Sequence, residues 1–222
     1  MNIYDYANGS GTDCNGHGTH VAGTIGSTTY GVAKQVRLRG LRTLDCGGFG
    51  DISVTIAALD WLRLYHYKPA VANMSLRWAY SATMNTAVTS LSNAGVLMAV
   101  AAGNENSNAC NYSPASTPVA LTSAASTSTD AKAGFSNHGS CVDLYAPGEN
   151  VLSTSTGSGT AVLSGTSMAS PHTAGVAALY KATYGDQPSS TVHSWIVTNA
   201  TANVITGNPV GTPNRLLFKS TL

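Results

Sequence analysis

The segment Gly95–Ala102, GVLMAVAA, limits the folds open to this chain more than any other stretch. It has no polar side chain, so as a strand it offers no face suited to water and must be covered on both sides. Around it, from Val32 onward, short β-rich apolar runs alternate with helical stretches. Gln35–Leu44 reads as a strand, Asp51–Leu64 as a helix, Ala70–Leu76 as a strand and Met84–Asn93 as a helix. That alternation predicts an α/β fold with a mainly parallel sheet flanked by helices. Between Asn104 and Leu163 the periodicity gives way to loops rich in Ser, Thr, Asn and Gly with short strands. Ser167–Tyr184 then reads as a buried helix of small residues. With 222 residues, no internal repeat and no linker-like shift in composition, residues 1–222 are expected to form a single domain.

Charge excludes several functions. Asp, Glu, Lys and Arg make up only 9% of the residues and the formal net charge is +1, which leaves no footprint for nucleic acid and no basic patch for a membrane. Surface polarity must come from Ser, Thr and Asn, a habit that suits work outside the cell. No apolar run approaches the roughly 18 residues of a spanning helix. The opening MNIYDYANGSGTDCNGHG has neither a basic nor an apolar region of a signal peptide. The chain is therefore expected either to stay inside the cell or to begin downstream of its true start. Four cysteines, at 14, 46, 110 and 141, allow three pairings. Their grouping into two early and two later positions favours Cys14–Cys46 and Cys110–Cys141, against four free thiols in a reducing compartment. No CxxC or Cys/His cluster suggests zinc. N-x-S/T sequons stand at Asn8, Asn73, Asn111 and Asn199.

Three segments carry chemistry. In NGHGTHVAGTIGS, Asn15–Ser27, two histidines three apart open a helix that Asn15 is expected to cap; without a neighbouring Glu they lack the HExxH arrangement of zinc peptidases. A single histidine at a helix start among glycines suits a general base better. In SGTSMASPH, Ser164–His172, a serine opens a small-residue helix, where unpaired N–H groups and the helix dipole favour an oxyanion. It does not match the GxSxG elbow of α/β-hydrolases. In AVAAGNENS, Ala99–Ser107, a buried strand ends in Gly-Asn and puts a neutral amide donor at the carboxyl edge of the sheet, where open α/β folds bind their ligands. Singly, each has an ordinary structural explanation. A lone His or Ser more often serves the fold, and Asn after Gly usually makes a turn.

In the order HGTHVAGT, AAGN, SGTSMASPH, these segments resemble the subtilase superfamily of serine peptidases. YGVAK, VANMSL, NYSPAS, FSN and APG extend the resemblance, from Asn15 to near the C-terminus, to the proteinase K and aqualysin branch. The resemblance implies a subtilisin-like three-layer fold with His17 as general base and Ser167 as nucleophile. Asn104 and the Ser167 backbone N–H would then donate to the oxyanion. His20, His138 and His172 are read as structural. The resemblance also implies a substrate groove lined by Phe49, Gly50, Ser75, Leu76, Arg77, Ala101, Ala102 and Gly103. It further implies a structural calcium ion held by the Pro118 and Ala120 carbonyls and the Asp143 carboxylate, the same two disulfides, no catalytic cofactor, and a secreted, monomeric enzyme acting on protein or peptide substrates.

Two departures stand out. In the family a strand carrying the catalytic Asp precedes the histidine motif, and neither Asp5 nor Asp13 stands in a strand followed by Thr-Gly or Ser-Gly. The chain is therefore expected to lack the family's N-terminal strand, and with it the acid of the triad. The missing segment or a propeptide is then a possible partner. Secondly, Leu76-Arg77-Trp78-Ala79 stands where relatives have Leu followed by glycines. This predicts a constricted cleft that favours small residues. The leading reading is an endopeptidase of broad, apolar-leaning preference; the alternative is a catalytically impaired remnant that at most binds peptide.

Overall fold

Residues 2–7 and 11–222 are described by the computed structural model, so the Asn8 sequon lies outside the described residues. Along the chain the strands are β1 (Asn2–Asp5), β2 (Arg39–Arg42), β3 (Val71–Met74), β4 (Trp78–Ala79), β5 (Leu97–Ala101), β6 (Tyr112–Ser113), β7 (Leu121–Ser126), β8 (Leu144–Pro147), β9 (Val151–Thr154), β10 (Thr160–Leu163), β11 (Thr201–Ala202) and β12 (Arg215–Leu216). The α-helices are α1 (His17–Gly26), α2 (Ile52–Tyr65), α3 (Ala82–Asn93), α4 (Thr166–Tyr184) and α5 (Ser189–Asn199).

The central sheet has six strands in the order β11-β12-β8-β7-β5-β3, and every pairing from β12 to β3 is parallel. Strand β5, next to the β3 edge, lies within the GVLMAVAA segment, and all five of its residues are buried. Period-two alternation sends its residues to opposite layers. Leu97 packs with Leu121, Leu144 and the α4–α5 residues Val176, Tyr180 and Ile196. Met98 and Val100 pack with Leu59 of α2 and with Met84, Val88 and Leu91 of α3. Helix α4 packs across β3, β5, β7 and β8 as well as on α1 and α5, and so covers one face of the sheet. No helix among the described residues is long and apolar enough to cross a membrane.

Strands β1 and β2 form a separate parallel pair. Asp5, at the end of β1, holds it there: its carboxylate is 2.9 Å from the Arg42 guanidinium, and both side chains are nearly buried. The expected strand Gln35–Leu44 thus shortens to Arg39–Arg42, because only these residues have a partner strand. Among the described residues, β2 pairs with β1 alone and β3 pairs with β5 alone. The unpaired edges of β2 and β3 both border a cavity of about 2220 Å³, walled by Ala58 and Leu59 of α2 and by Ala174 and Ala178 of α4.

The four cysteines form Cys14–Cys46 and Cys110–Cys141.

Candidate active site

Helix α1 begins at His17. Asn15 was the expected cap, and here the structure corrects the sequence reading. The helix-capping carboxylate is that of Asp13, whose Oδ1 accepts from the backbone N–H groups of Asn15 (3.1 Å) and Gly16 (2.8 Å). Its Oδ2 accepts from Thr19 N (2.7 Å) and Thr19 Oγ1 (2.6 Å). Asn15 Oδ1 adds only a longer bond from His17 N, 3.3 Å. A carboxylate satisfies several orphan donors and the helix dipole at once, which a neutral amide cannot do. Burial pushes the Asp13 carboxyl up, but the hydrogen bonds from Thr19, Gly16 and Asn15 outweigh it and hold the group below its usual value. Burial lowers the His17 imidazole, the Asp13 charge raises it and His20 lowers it again, for a net fall. Among the described residues the His17 ring makes no hydrogen bond. His20 is buried, with Nε2 near the Val151 and Ala161 carbonyls at 3.0 and 3.1 Å.

Ser167 is the second residue of α4, a helix that packs against α1, so His17 and Ser167 stand at the amino ends of neighbouring helices. The first turn of a helix leaves its N–H groups without intrahelical acceptors. Pro171 has no N–H to give the Ser167 carbonyl four residues earlier. That carbonyl is satisfied by Ser75 Oγ at 2.8 Å, while Ser167 Oγ donates to Ser75 O at 3.3 Å. Asn73 continues the chain, donating to Ser75 Oγ (3.0 Å) and accepting from Ser170 Oγ (2.6 Å).

Asn104 follows β5 at the carboxyl edge of the sheet. Its Oδ1 accepts from Thr166 N (2.8 Å) and Thr166 Oγ1 (2.9 Å), which fixes the amide and leaves Nδ2 as the outward donor. A methyl group placed on Gly165 would lie 3.4 Å from Asn104 Nδ2 and 3.6 Å from Ser167 N. Asn104 Nδ2 and Ser167 N are thus both neighbours of Gly165, at the start of α4. Sequence reasoning missed the residues behind them. Fully buried Asn137 accepts from Glu105 N (3.0 Å) and Ser107 N (2.9 Å) and donates to Ala102 O (2.9 Å), folding the 102–107 loop around itself. Gly103, at φ +103°, leaves room for this, because a side chain there would collide with Asn137 and Glu105. The FSN segment was the available signal, but it names no contact with a loop thirty residues away.

Of the expected groove residues, Ala101, Ala102 and Gly103 are buried, Phe49 is 76% exposed, and Ser75 touches Ser167 directly. The two departures beside Leu76 each reach a neighbouring wall. Trp78 Nε1 points to Gly50 O at 3.4 Å, and Arg77 pairs with Glu105. At the expected calcium position, Asp143 N donates to Thr122 O (3.0 Å) and Asp143 Oδ2 accepts from Thr122 N (2.7 Å). This fixes the carboxylate on Thr122, two residues after Ala120 in the chain. Its Oδ1 lies 3.4 Å from His193 Nε2. The donors suit a hard cation in kind but supply three oxygens, short of the usual six to eight, so water would have to complete the shell. Among the described residues no cluster of three or more His, Cys, Asp or Glu could hold a metal.

The subtilase family model matches residues 2–216. The chain belongs to the subtilase family. It is 53% identical over 212 residues to an extracellular serine proteinase of Thermus sp. (strain Rt41A), covering 95% of this chain and 52% of that relative. It is 47% identical over 221 residues to a cuticle-degrading protease of Metarhizium anisopliae, covering 97% of this chain and 57% of the relative. Among solved structures, a cold-adapted subtilisin-like serine proteinase matches with a TM-score of 0.95 at 44% identity, covering 97% of this chain and 80% of that one. The subtilase chain thus spans about half the length of the curated relatives it matches.

Proposed function

We propose that this subtilase chain is the catalytic part of a secreted serine endopeptidase that cleaves proteins through an acyl-enzyme. The placement of Asn104 Nδ2 and Ser167 N next to one residue, Gly165, at the Ser167 end of α4 carries the reading, since acyl transfer needs N–H donors near the serine, where negative charge develops. Ser167 Oγ attacks the peptide carbonyl and its proton passes to His17. The oxyanion collapses, expelling an amine that takes that proton, and water repeats the sequence to release the acid. Before attack, Ser167 must turn from Ser75 O toward His17. Substrate lies extended between Phe49–Gly50 and Ser75–Arg77, with Ala101–Gly103 receiving a side chain, in the manner of an added strand. Small residues are favoured where Arg77 and Trp78 crowd the groove. A calcium ion held by Pro118 O, Ala120 O and Asp143 would restrain the loop beneath it. Residues 1–222 act as one monomeric domain.

The triad's acid is supplied by a further strand between β2 and β3. Among the described residues both edges lack a partner, and both border the cavity that His17 also lines. Of the two carboxylates that precede the histidine motif, Asp5 is committed to Arg42 and Asp13 to the start of α1. The alternative reading, a peptide-binding remnant, is favoured by two observations: Ser167 Oγ bonds to Ser75 O, and the His17 ring has no hydrogen-bonded acid among the described residues. Fluorophosphonate labelling and cleavage of a chromogenic peptide by the full-length protein decide between them. Both are expected, both should vanish in Ser167→Ala, and Asn104→Ala should lower turnover about 10²–10³-fold. Peptide binding without labelling would establish the remnant.

A further inference from the structure

The Arg77 side chain leaves the segment that joins β3 to β4 and pairs through Nε with Glu105 Oε1, while its guanidinium lies 5.1 Å from the centre of the Tyr112 ring. Glu105 belongs to the loop after β5, on the other side of the site. Its second oxygen accepts from Asn104 N (3.0 Å) and from Asn137 Nδ2 (2.9 Å). One carboxylate therefore joins Arg77, the backbone of Asn104 and the buried Asn137 that shapes the loop. Asn104 is held at two points: by Thr166 through its side-chain oxygen and by Glu105 through its own N–H. The first hold belongs to α4 and moves with Ser167. The second is anchored across the site, because the Arg77 segment also carries Ser75, which bonds to Ser167 in both directions.

From this we infer that Arg77 is a positioning residue for the reaction: through Glu105 it fastens the loop bearing Asn104 to the substrate-pairing segment, and so holds the oxyanion donor on target. The inference rests on the peptidase reading above. Its chemistry is specific to the side chains present, since a residue without a side chain at 77 could not reach Glu105. The pair is a poor stabiliser of the fold. Arg77 is 46% and Glu105 26% exposed, and ion pairs so placed contribute little to stability. A purely structural role therefore predicts almost no effect of removing it, whereas a positioning role predicts a loss confined to turnover.

The test uses the full-length protein and its Arg77→Ala, Arg77→Lys, Glu105→Gln and Arg77→Ala/Glu105→Gln variants. With a peptide that has a small residue at the subsite beside Arg77, Arg77→Ala should lower kcat about five- to tenfold, well short of the loss from deleting an oxyanion donor, with KM within about twofold and the thermal midpoint unchanged. A peptide boronic acid, whose tetrahedral adduct fills the oxyanion position, should lose affinity by the same factor, while a product peptide should not. Arg77→Lys should recover part of the rate. Glu105→Gln keeps an acceptor for Asn104 but not the ion pair, so it should match Arg77→Ala, and the double variant should be no worse than either single. An unchanged kcat in Arg77→Ala, additive single losses, or equal losses for boronate and product peptide would each overturn the inference. Failure of the peptidase reading is separable, because the parent protein would then show no Ser167-dependent labelling at all.

Discussion

His172 lies on α4, five residues beyond Ser167, with Nδ1 2.8 Å from Met168 O. Burial lowers its imidazole below the usual value; the bond to Met168 O works against that shift, and nearby His20 reinforces it. The unfolded chain, with an ordinary histidine near 6.5, then binds the proton first as pH falls. Stability rises with pH wherever the unfolded state binds more protons, so this contribution is complete above about 6.5 and is lost as pH falls toward the folded value. The thermal midpoint is expected to be flat at neutral pH and to decline below about 6.5. His172→Gln should decline less steeply, with the lowered His17 accounting for the slope that remains. Equal declines in parent and variant, followed by calorimetry between pH 7.5 and 5, would remove His172 from the account. At this scale the site was partly legible in the sequence. His17, Ser167 and Asn104 each sit in a compact motif whose neighbours suggest a role. Thr166, Glu105 and Asn137 do their work across 62 and 32 positions of chain, and no local pattern encodes such a contact.

Strands β7 and β8 are parallel neighbours, and Asp143, just ahead of β8, is bonded in both directions to Thr122 of β7. An ion drawing Asp143, Pro118 and Ala120 together would tie the start of both strands to the loop that leads into them. Binding only the native state stabilises it by about 2.7 kcal/mol when free calcium stands at 100 times its dissociation constant. For a chain of this size each kcal/mol moves the midpoint roughly 2–4 °C. Chelation is therefore expected to lower the midpoint by about 5–10 °C, and Asp143→Asn should remove most of that sensitivity. Scanning calorimetry with and without chelator checks it, and equal sensitivity in both proteins would move the ion elsewhere. Among elements, long periodic stretches were the readable ones: α2 (Ile52–Tyr65), α3 (Ala82–Asn93) and α4 (Thr166–Tyr184) lie within two residues of their expected bounds. Strand β1 was not read, because Asn2–Asp5 has no apolar alternation and is held by pairing with β2 and by the Asp5–Arg42 ion pair. Helix α5 has a weak apolar stripe, with Val192 and Ile196 fully buried among serines and threonines.

Taken whole, the molecule has one cavity lined both by β2 and by β3, whose outer edges carry no partner strand among the described residues. Backbone groups on those edges can hydrate through the opening, so they need not stay unsatisfied. The larger deficit is apolar: Ile25, Leu62, Val71 and Leu179 line the space, are only partly buried, and face a site that water fills poorly. A strand entering there would gain hydrogen bonds on both sides and cover on both faces, which calls for a continuous apolar run. It would also bring its end within reach of His17, where an Asp could orient the imidazole and stabilise the imidazolium formed during attack. The 222-residue chain alone is accordingly expected to bind a hydrophobic dye and to show negligible peptidase activity, although Ser167, His17 and Asn104 are all present. Adding the acid-bearing segment, an apolar run of about six residues ending in Asp, should suppress dye binding, raise the thermal midpoint and restore cleavage. The same segment ending in Asn should restore the first two but leave turnover about 10⁴-fold lower, since the packing is intact and only the tautomer is wrong. That contrast separates the strand's structural contribution from its chemical one. Robust cleavage by the 222-residue chain without any added segment would overturn the idea and direct attention to Asp13, which would then have to give up its bonds to Gly16 and Thr19 to serve His17.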